Sequence, residues 1–150
     1  MFKENRSNLA LLEKALHNIS VPKGMSYQLP PNSFSKFNGV FIDYTSRSEL
    51  ITQFRVENDY SNPQGTVQGG ILTACFDDTF GPLGVVTAQK PILTVDINIQ
   101  FIRPVSLNED FYIVTKVVSV SRSTLFMHAN AFSQKGKLLA QASTNQIIIR

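Results

Sequence analysis

The chain is poor in the residues that usually announce chemistry: one cysteine, two histidines and no tryptophan in 150 residues. A single Cys75 cannot form an intrachain disulfide, so nothing ties the fold to an oxidising compartment and a cytoplasmic location fits. His17 and His128 are far apart in sequence. With one cysteine they make no zinc or haem spacing, and neither a metal nor another cofactor is expected. Charge is also modest, at 17% of residues with a net of +3. No Lys/Arg cluster or interleaved aromatic platform accompanies it, which argues against nucleic acid and leaves room for a small anionic ligand. The first twenty residues scatter charges among apolar positions and lack the continuous hydrophobic run of a signal peptide or membrane span.

What is present is ordinary globular composition, 43% hydrophobic, in a length that suits one domain over 1–150. An N-terminal extension over 1–38 precedes the main pattern. Leu9, Leu12, Leu16 and Ile19 recur at helical spacing, which predicts a helix from about Ser7 to Ser20, ended by Val21-Pro22-Lys23-Gly24. His17 lies off that stripe and reads as a surface residue. Pro30 to Asn38, rich in Pro, Ser and Asn, reads as a loop.

Two strand-like runs, Gly39 to Thr45 and Glu49 to Val56, form a hairpin, and Asn58 to Gly65 reads as another loop. A nearly all-apolar helix follows from Gly69 to about Phe80, punctuated by Gly81-Pro82, and should be buried. Four more strands are expected near Ile92–Ile102, Phe111–Ser119, Ser123–Phe132 and Leu138–Ile149. In the first, Leu93, Val95, Ile97, Ile99 and Phe101 alternate with Thr94, Asp96, Asn98 and Gln100, giving one apolar and one polar face. The order implies an α+β domain in which an antiparallel sheet wraps one long central helix, with a two-layer sandwich as the competing architecture.

The stretch Thr66–Asp78 (TVQGGILTACFDD) is the least explained by local propensity. Two glycines open a helix that they weaken, and two aspartates interrupt its apolar middle. A helix start leaves N–H groups unpaired and partly positive, so Gly70 can donate to an oxygen on which negative charge develops. Asp77 lies ~10 Å further along at ~1.5 Å per residue and, at about 100° per residue, returns to nearly the same face. Asp78 points about 100° away and suits a structural hydrogen bond to the strands or a loop.

The pattern Asn62-x5-Gln68-Gly69-Gly70, then Asp77, Thr94-Val95-Asp96 and Phe101-Ile102-Arg103-Pro104, resembles the PaaI-like branch of the hot-dog-fold acyl-CoA thioesterases. That family usually has histidine before the glycines, where this chain has Gln68. The resemblance implies a thioester hydrolase with Asp77 as nucleophile or general base, Gly70 N–H as oxyanion donor and Thr94 as an aid to placing water. Asn62 and Gln68 would position the thioester or its loop, and Gly69 would flank the substrate. The substrate would be an acyl-CoA or acyl carrier, with coenzyme A part of the substrate rather than a cofactor. Gly70 and Asp77 of one helix are too far apart to touch one carbonyl. An antiparallel second copy closes the gap, so a homodimer with shared sites is expected, and a homotetramer is compatible with the resemblance.

Arg103, Arg122 and Ser123 are candidates for the CoA phosphates, although exposed arginines at strand ends also serve solubility. Each remaining residue has a plainer reading. Asp77 could bond a loop or Thr73, Thr94 could be an ordinary strand residue, Cys75 suits a small core position, and His128 suits a structural or interfacial one. A noncatalytic acyl-CoA binding module is the alternative function, and a hot-dog hydratase is disfavoured by the missing histidine.

Overall fold

The computed structural model describes residues 2–150. Helix α1 (Arg6–His17) is followed by α2 (Asn32–Lys36), β1 (Val40–Thr45), β2 (Glu49–Arg55), a 3-10 turn at Asn58–Tyr60 and the long helix α3 (Gly69–Ala88). Strands β3 (Ile92–Phe101), β4 (Asp110–Val120), β5 (Thr124–Ser133) and β6 (Leu138–Ile148) complete the chain. The strands form one six-stranded sheet in the order β1-β2-β4-β5-β6-β3, with every neighbouring pair antiparallel. Helix α3 packs against β2 through β6, and Phe54, Phe76, Phe80, Leu83, Phe111 and Leu125 close the core between helix and sheet. This is the hot-dog arrangement of a sheet around a central helix. No helix among the described residues is long and apolar enough to cross a membrane.

Local expectations are corrected in three parts of the chain, first in the segments before α3. Residues 30–38 are not all loop: the five-residue α2 forms there because Phe34 is buried against Phe41 and Phe54, with ring centroids 4.7 and 5.7 Å away. Tertiary packing overrides a loop-like composition, and Gly39 stays small because a Cβ there would lie 2.8 Å from the Phe34 ring. Helix α1 ends at His17, three residues earlier than its leucine stripe suggested. The expected loop at 58–65 also contains the short 3-10 turn.

The second correction concerns α3, which runs through Gly81-Pro82 to Ala88. Pro82 withholds the N–H that the Asp78 carbonyl would accept, a cost of ~3 kcal/mol in a helix interior. Leu83, Val85 and Val86 beyond it are fully buried, and at ~1.5–3 kcal/mol per large apolar side chain their burial outweighs the lost bond. The helix stops where Gln89 turns left-handed at φ 56° and its N–H caps the Val85 carbonyl.

The third is the alternation of β3. Its register with β6 slips between Thr94 and Asp96, leaving Val95 as the extra residue of a bulge. Thr94 is thereby turned to the helix side together with Ile97 and Ile99, which pack against the core. Leu93 and Val95, expected on an apolar buried face, are instead 59% and 57% exposed on an edge strand.

Candidate active site

The site is built from the start and middle of α3, the loop before it and the bulge of β3. Asn62 organises the loop: its Oδ1 accepts the N–H groups of Gln64 and Thr66, each at 3.0 Å, and its Nδ2 donates to Thr66 Oγ1 at 2.8 Å. Such self-bonding is what asparagine supplies in turns. Val67 N–H donates to Val105 and Gln68 N–H to Tyr60, fixing where the helix begins. Gln68 is the N-cap residue, and its exposed side chain makes no capping bond.

Gly69 and Gly70 open the helix, so their N–H groups precede any carbonyl the helix offers. The two glycines differ in their surroundings. A Cβ on Gly69 would stand 3.1 Å from the Phe101 ring, whereas a Cβ on Gly70 would meet nothing within 4 Å. Steric need within one chain therefore falls on Gly69, and Gly70 faces open space. Beside this helix start, a cavity of about 440 Å³ is bordered by Asn62, Gly69, Phe101 and Arg103. Arg103 is held there by donating to the Leu138 carbonyl at 2.8 Å.

Asp77 is exposed in the single chain, and its Oδ1 accepts from Thr94 Oγ1 at 3.1 Å. The bulge is what makes this bond possible, because regular alternation would aim Thr94 away. Partial burial raises the Asp77 carboxyl above the ordinary aspartate range, and the Thr94 bond opposes that rise. Asp77 does not bond Thr73, whose hydroxyl instead donates back to the Gly69 carbonyl at 2.9 Å.

Asp78 takes the structural role expected of it, with a partner from α2. Its Oδ1 accepts from Ser33 Oγ at 2.7 Å, and its buried Oδ2 has no hydrogen-bond partner among the described residues. Burial pushes its carboxyl up to about 6, the Ser33 bond opposes this, and the neighbouring Asp77 charge adds to it. Cys75 is fully buried. Burial first, and the Asp78 charge second, hold its thiol well above the usual range, so it behaves as a core residue.

Arg122 and Ser123 stand at the opposite end of α3 from Arg103. There, a cavity of about 300 Å³ is lined by Arg47, Lys90 and Arg122, together with Thr87, whose buried hydroxyl has no partner among the described residues. None of the three cations is in an ion pair among the described residues. Sequence reasoning missed Arg47, Lys90, Thr87 and Ser33. They lie on separate turns and helices, and only the folded register joins them.

A sheet wrapped on a central helix, with a glycine-opened helix start and a mid-helix aspartate held by the edge strand, defines a hot-dog enzyme scaffold. The profile of the thioesterase superfamily matches residues 64–140, and the chain belongs to that family. It is 30% identical over 96 residues to human acyl-coenzyme A thioesterase 13, covering 62% of this chain and 68% of that protein. The PaaI protein of the E. coli phenylacetic acid degradation operon shares the fold at TM-score 0.75 and 15% identity, over 80% of this chain and 86% of that one. A hypothetical thioesterase from Streptococcus pneumoniae, solved with coenzyme A, gives TM-score 0.71 and 19% identity over 77% and 90%.

Proposed function

We propose that the protein hydrolyses acyl-CoA thioesters, with each active site shared between two antiparallel copies of α3. The observation that carries this reading is the Asp77–Thr94 pair on the open face of α3, seven residues beyond the unobstructed Gly70. Gly70 N–H from one copy polarises the thioester carbonyl. Asp77 from the other takes a proton from water that Thr94 helps place, as the water oxygen bonds to the carbonyl carbon. The C–S bond then breaks, and CoA leaves as the thiol when it takes up the proton from Asp77. Direct attack by Asp77 would instead pass through an anhydride. Gln68 positions the carbonyl without titrating, since an amide donates a hydrogen bond but carries no ionisable proton near neutral pH. Asn62 holds the loop that presents it, and Gly69 keeps the approach clear.

The exposed apolar edge of β3, with Leu93, Val95 and Phe101 all more than half accessible, supports pairing with a second copy. The basic cavity at the far end of α3 supports CoA as the carrier. From Asp77 to Ala88 the helix covers ~16 Å. The arm of CoA between thiol and pyrophosphate has about the backbone length of four to five residues, ~15 Å. A thioester at Asp77 thus places its phosphates beside Arg122, Ser123, Arg47 and Lys90, with Arg103 of the other copy on the same side. The test is thiol release from a panel of short, long and aromatic acyl-CoAs by the wild type, Asp77→Ala and Gln68→His. Turnover lost in Asp77→Ala with the fold retained supports the reading. Tight binding without turnover by the wild type would replace it with a binding module.

A further inference from the structure

At one end of the molecule the connections carry charge of a single sign. The turns after β1 and β4, the link from α3 to β3 and the segment between α1 and α2 hold Arg47, Arg122, Lys90 and Lys23, and no aspartate or glutamate. The last of these segments crosses the end of α3, where Ser20 N–H donates to the Gln89 carbonyl at 3.3 Å. None of the four cations is in an ion pair among the described residues, and Glu49, just beyond Arg47, is taken by Lys116 at 3.2 Å. The connections at the opposite end instead mix Arg103 and Lys137 with Glu57, Asp59 and Glu109. Lys23 stands at the tip of a tight turn, in which Met25 N–H donates to the Pro22 carbonyl at 3.1 Å and Gly24 takes φ 84°, a conformation that favours glycine. Val21 and Met25 flank that tip, 39% and 37% exposed. Behind it, Ile19, Tyr27 and Leu29 pack on Val85, Ile92 and Ile148 and fix where the turn projects. We infer that this end docks on a bilayer containing anionic lipid, with the turn at 21–25 setting its two apolar side chains among the head groups. The turn precedes the family-matched segment 64–140, and the inference is independent of the thioesterase reading.

Charge and pattern together select that occupant. Unpaired cations with no acid among them call for a negative surface. A second copy of this chain, meeting this end through a two-fold axis, would set cation against cation. A protein partner would call for a contiguous apolar centre inside a polar rim. Here the apolar side chains stand singly between the cations: Val21 and Met25 on either side of Lys23, and exposed Val120 on the wall of the cavity that Arg47, Lys90 and Arg122 line. A bilayer asks for no fixed contour. Each basic residue gains from the negative surface potential, each apolar side chain from the boundary of the acyl region, and the two signals add. Lys23, Val21 and Met25 lie outside that cavity, so they remain free to dock when it is filled.

The test is co-sedimentation of the full chain with vesicles of phosphatidylcholine alone and of phosphatidylserine and phosphatidylcholine at about 3:7. The wild type should bind the anionic vesicles at least ~tenfold more tightly and leave them as salt is raised, since screening weakens each cation's share. Lys23→Glu should weaken that binding by about fivefold or more, the contribution of one basic residue at a charged membrane. Replacing both Val21 and Met25 by serine should weaken it severalfold and leave the salt dependence unchanged, which separates the apolar signal from the charged one. Lys137→Glu makes the same change of net charge at the opposite end and should have little effect. All of these positions are exposed, and thermal melts check that each variant folds as the wild type does. Failure of the wild type to bind anionic vesicles would overturn the inference, as would equal losses from Lys23→Glu and Lys137→Glu. Binding to soluble polyglutamate but to neither kind of vesicle would overturn it too, and would assign this end to an acidic protein.

Discussion

Two neighbouring carboxylates on α3 face different surroundings, and their predicted behaviour differs accordingly. Asp77 is bonded by Thr94 and otherwise open. Asp77→Asn keeps the shape but removes the base, so kcat should fall ~10²–10⁴-fold with little change in KM. Thr94→Ala should cost ~10-fold or more, as expected for a hydrogen bond to a charged group. Because burial raises the Asp77 carboxyl, the acid limb of the rate profile should lie above the ordinary aspartate range. Asp78 is a matter of stability instead. Its carboxyl is raised in the folded state to about 6 from ~3.9 in an unfolded chain, so the folded protein binds more protons between those values. Its stability contribution is therefore present at low pH and is lost as pH rises from about 4 through 6. Asp78→Asn keeps an acceptor for Ser33 and no longer ionises. Thermal melts from pH 4 to 8 should show the variant gaining several degrees on the wild type across that window; parallel curves would contradict the assignment. The aspartates and glycines were legible in the sequence because local propensity could not explain them. The Ser33 partner was not, because a contact across 45 residues leaves no local trace.

At the scale of elements, the helix and strands that carry long apolar patterns were readable, and the misreadings occurred where packing outvoted local signals. Gly81-Pro82 marks a helix end by any local rule, yet the fully buried residues beyond it keep α3 going. Pro82→Ala should restore an N–H to the Asp78 carbonyl and raise stability, by less than the ~3 kcal/mol of a helix-interior proline because the packing of the buried ring is lost. Gly84→Ala should do the reverse. A Cβ there would overlap Gln146 Oε1 and stand 3.2 Å from a Leu125 methyl, and Gln146 is itself fully buried. A loss of ~1–3 kcal/mol in chemical denaturation is expected, the usual cost of overpacking. The bulge at Val95 was invisible in an alternation that reads perfectly well without it. That one extra residue decides whether Thr94 meets Asp77, so the strand was legible while its aim was not.

At the scale of the whole molecule, a single chain holds every group of the proposed reaction but cannot bring them together. Gly70 and Asp77 of one α3 lie ~10 Å apart, and the exposed β3 edge offers the surface through which a second copy would close the gap. Val95→Lys on that edge should lower both dimer content and turnover in proportion, read by light scattering and thiol release on the same samples. The central claim is that each site takes Gly70 from one copy and Asp77 from the other, and subunit complementation tests it most directly. Gly70→Pro removes the N–H in the first helical turn, where proline is tolerated, and Asp77→Asn removes the base; each homodimer should be inactive. Mixed and allowed to exchange, the two variants form heterodimers with one intact site, and about a quarter of wild-type activity should return. No recovery in a mixture whose heterodimers are verified by mass spectrometry would contradict shared sites.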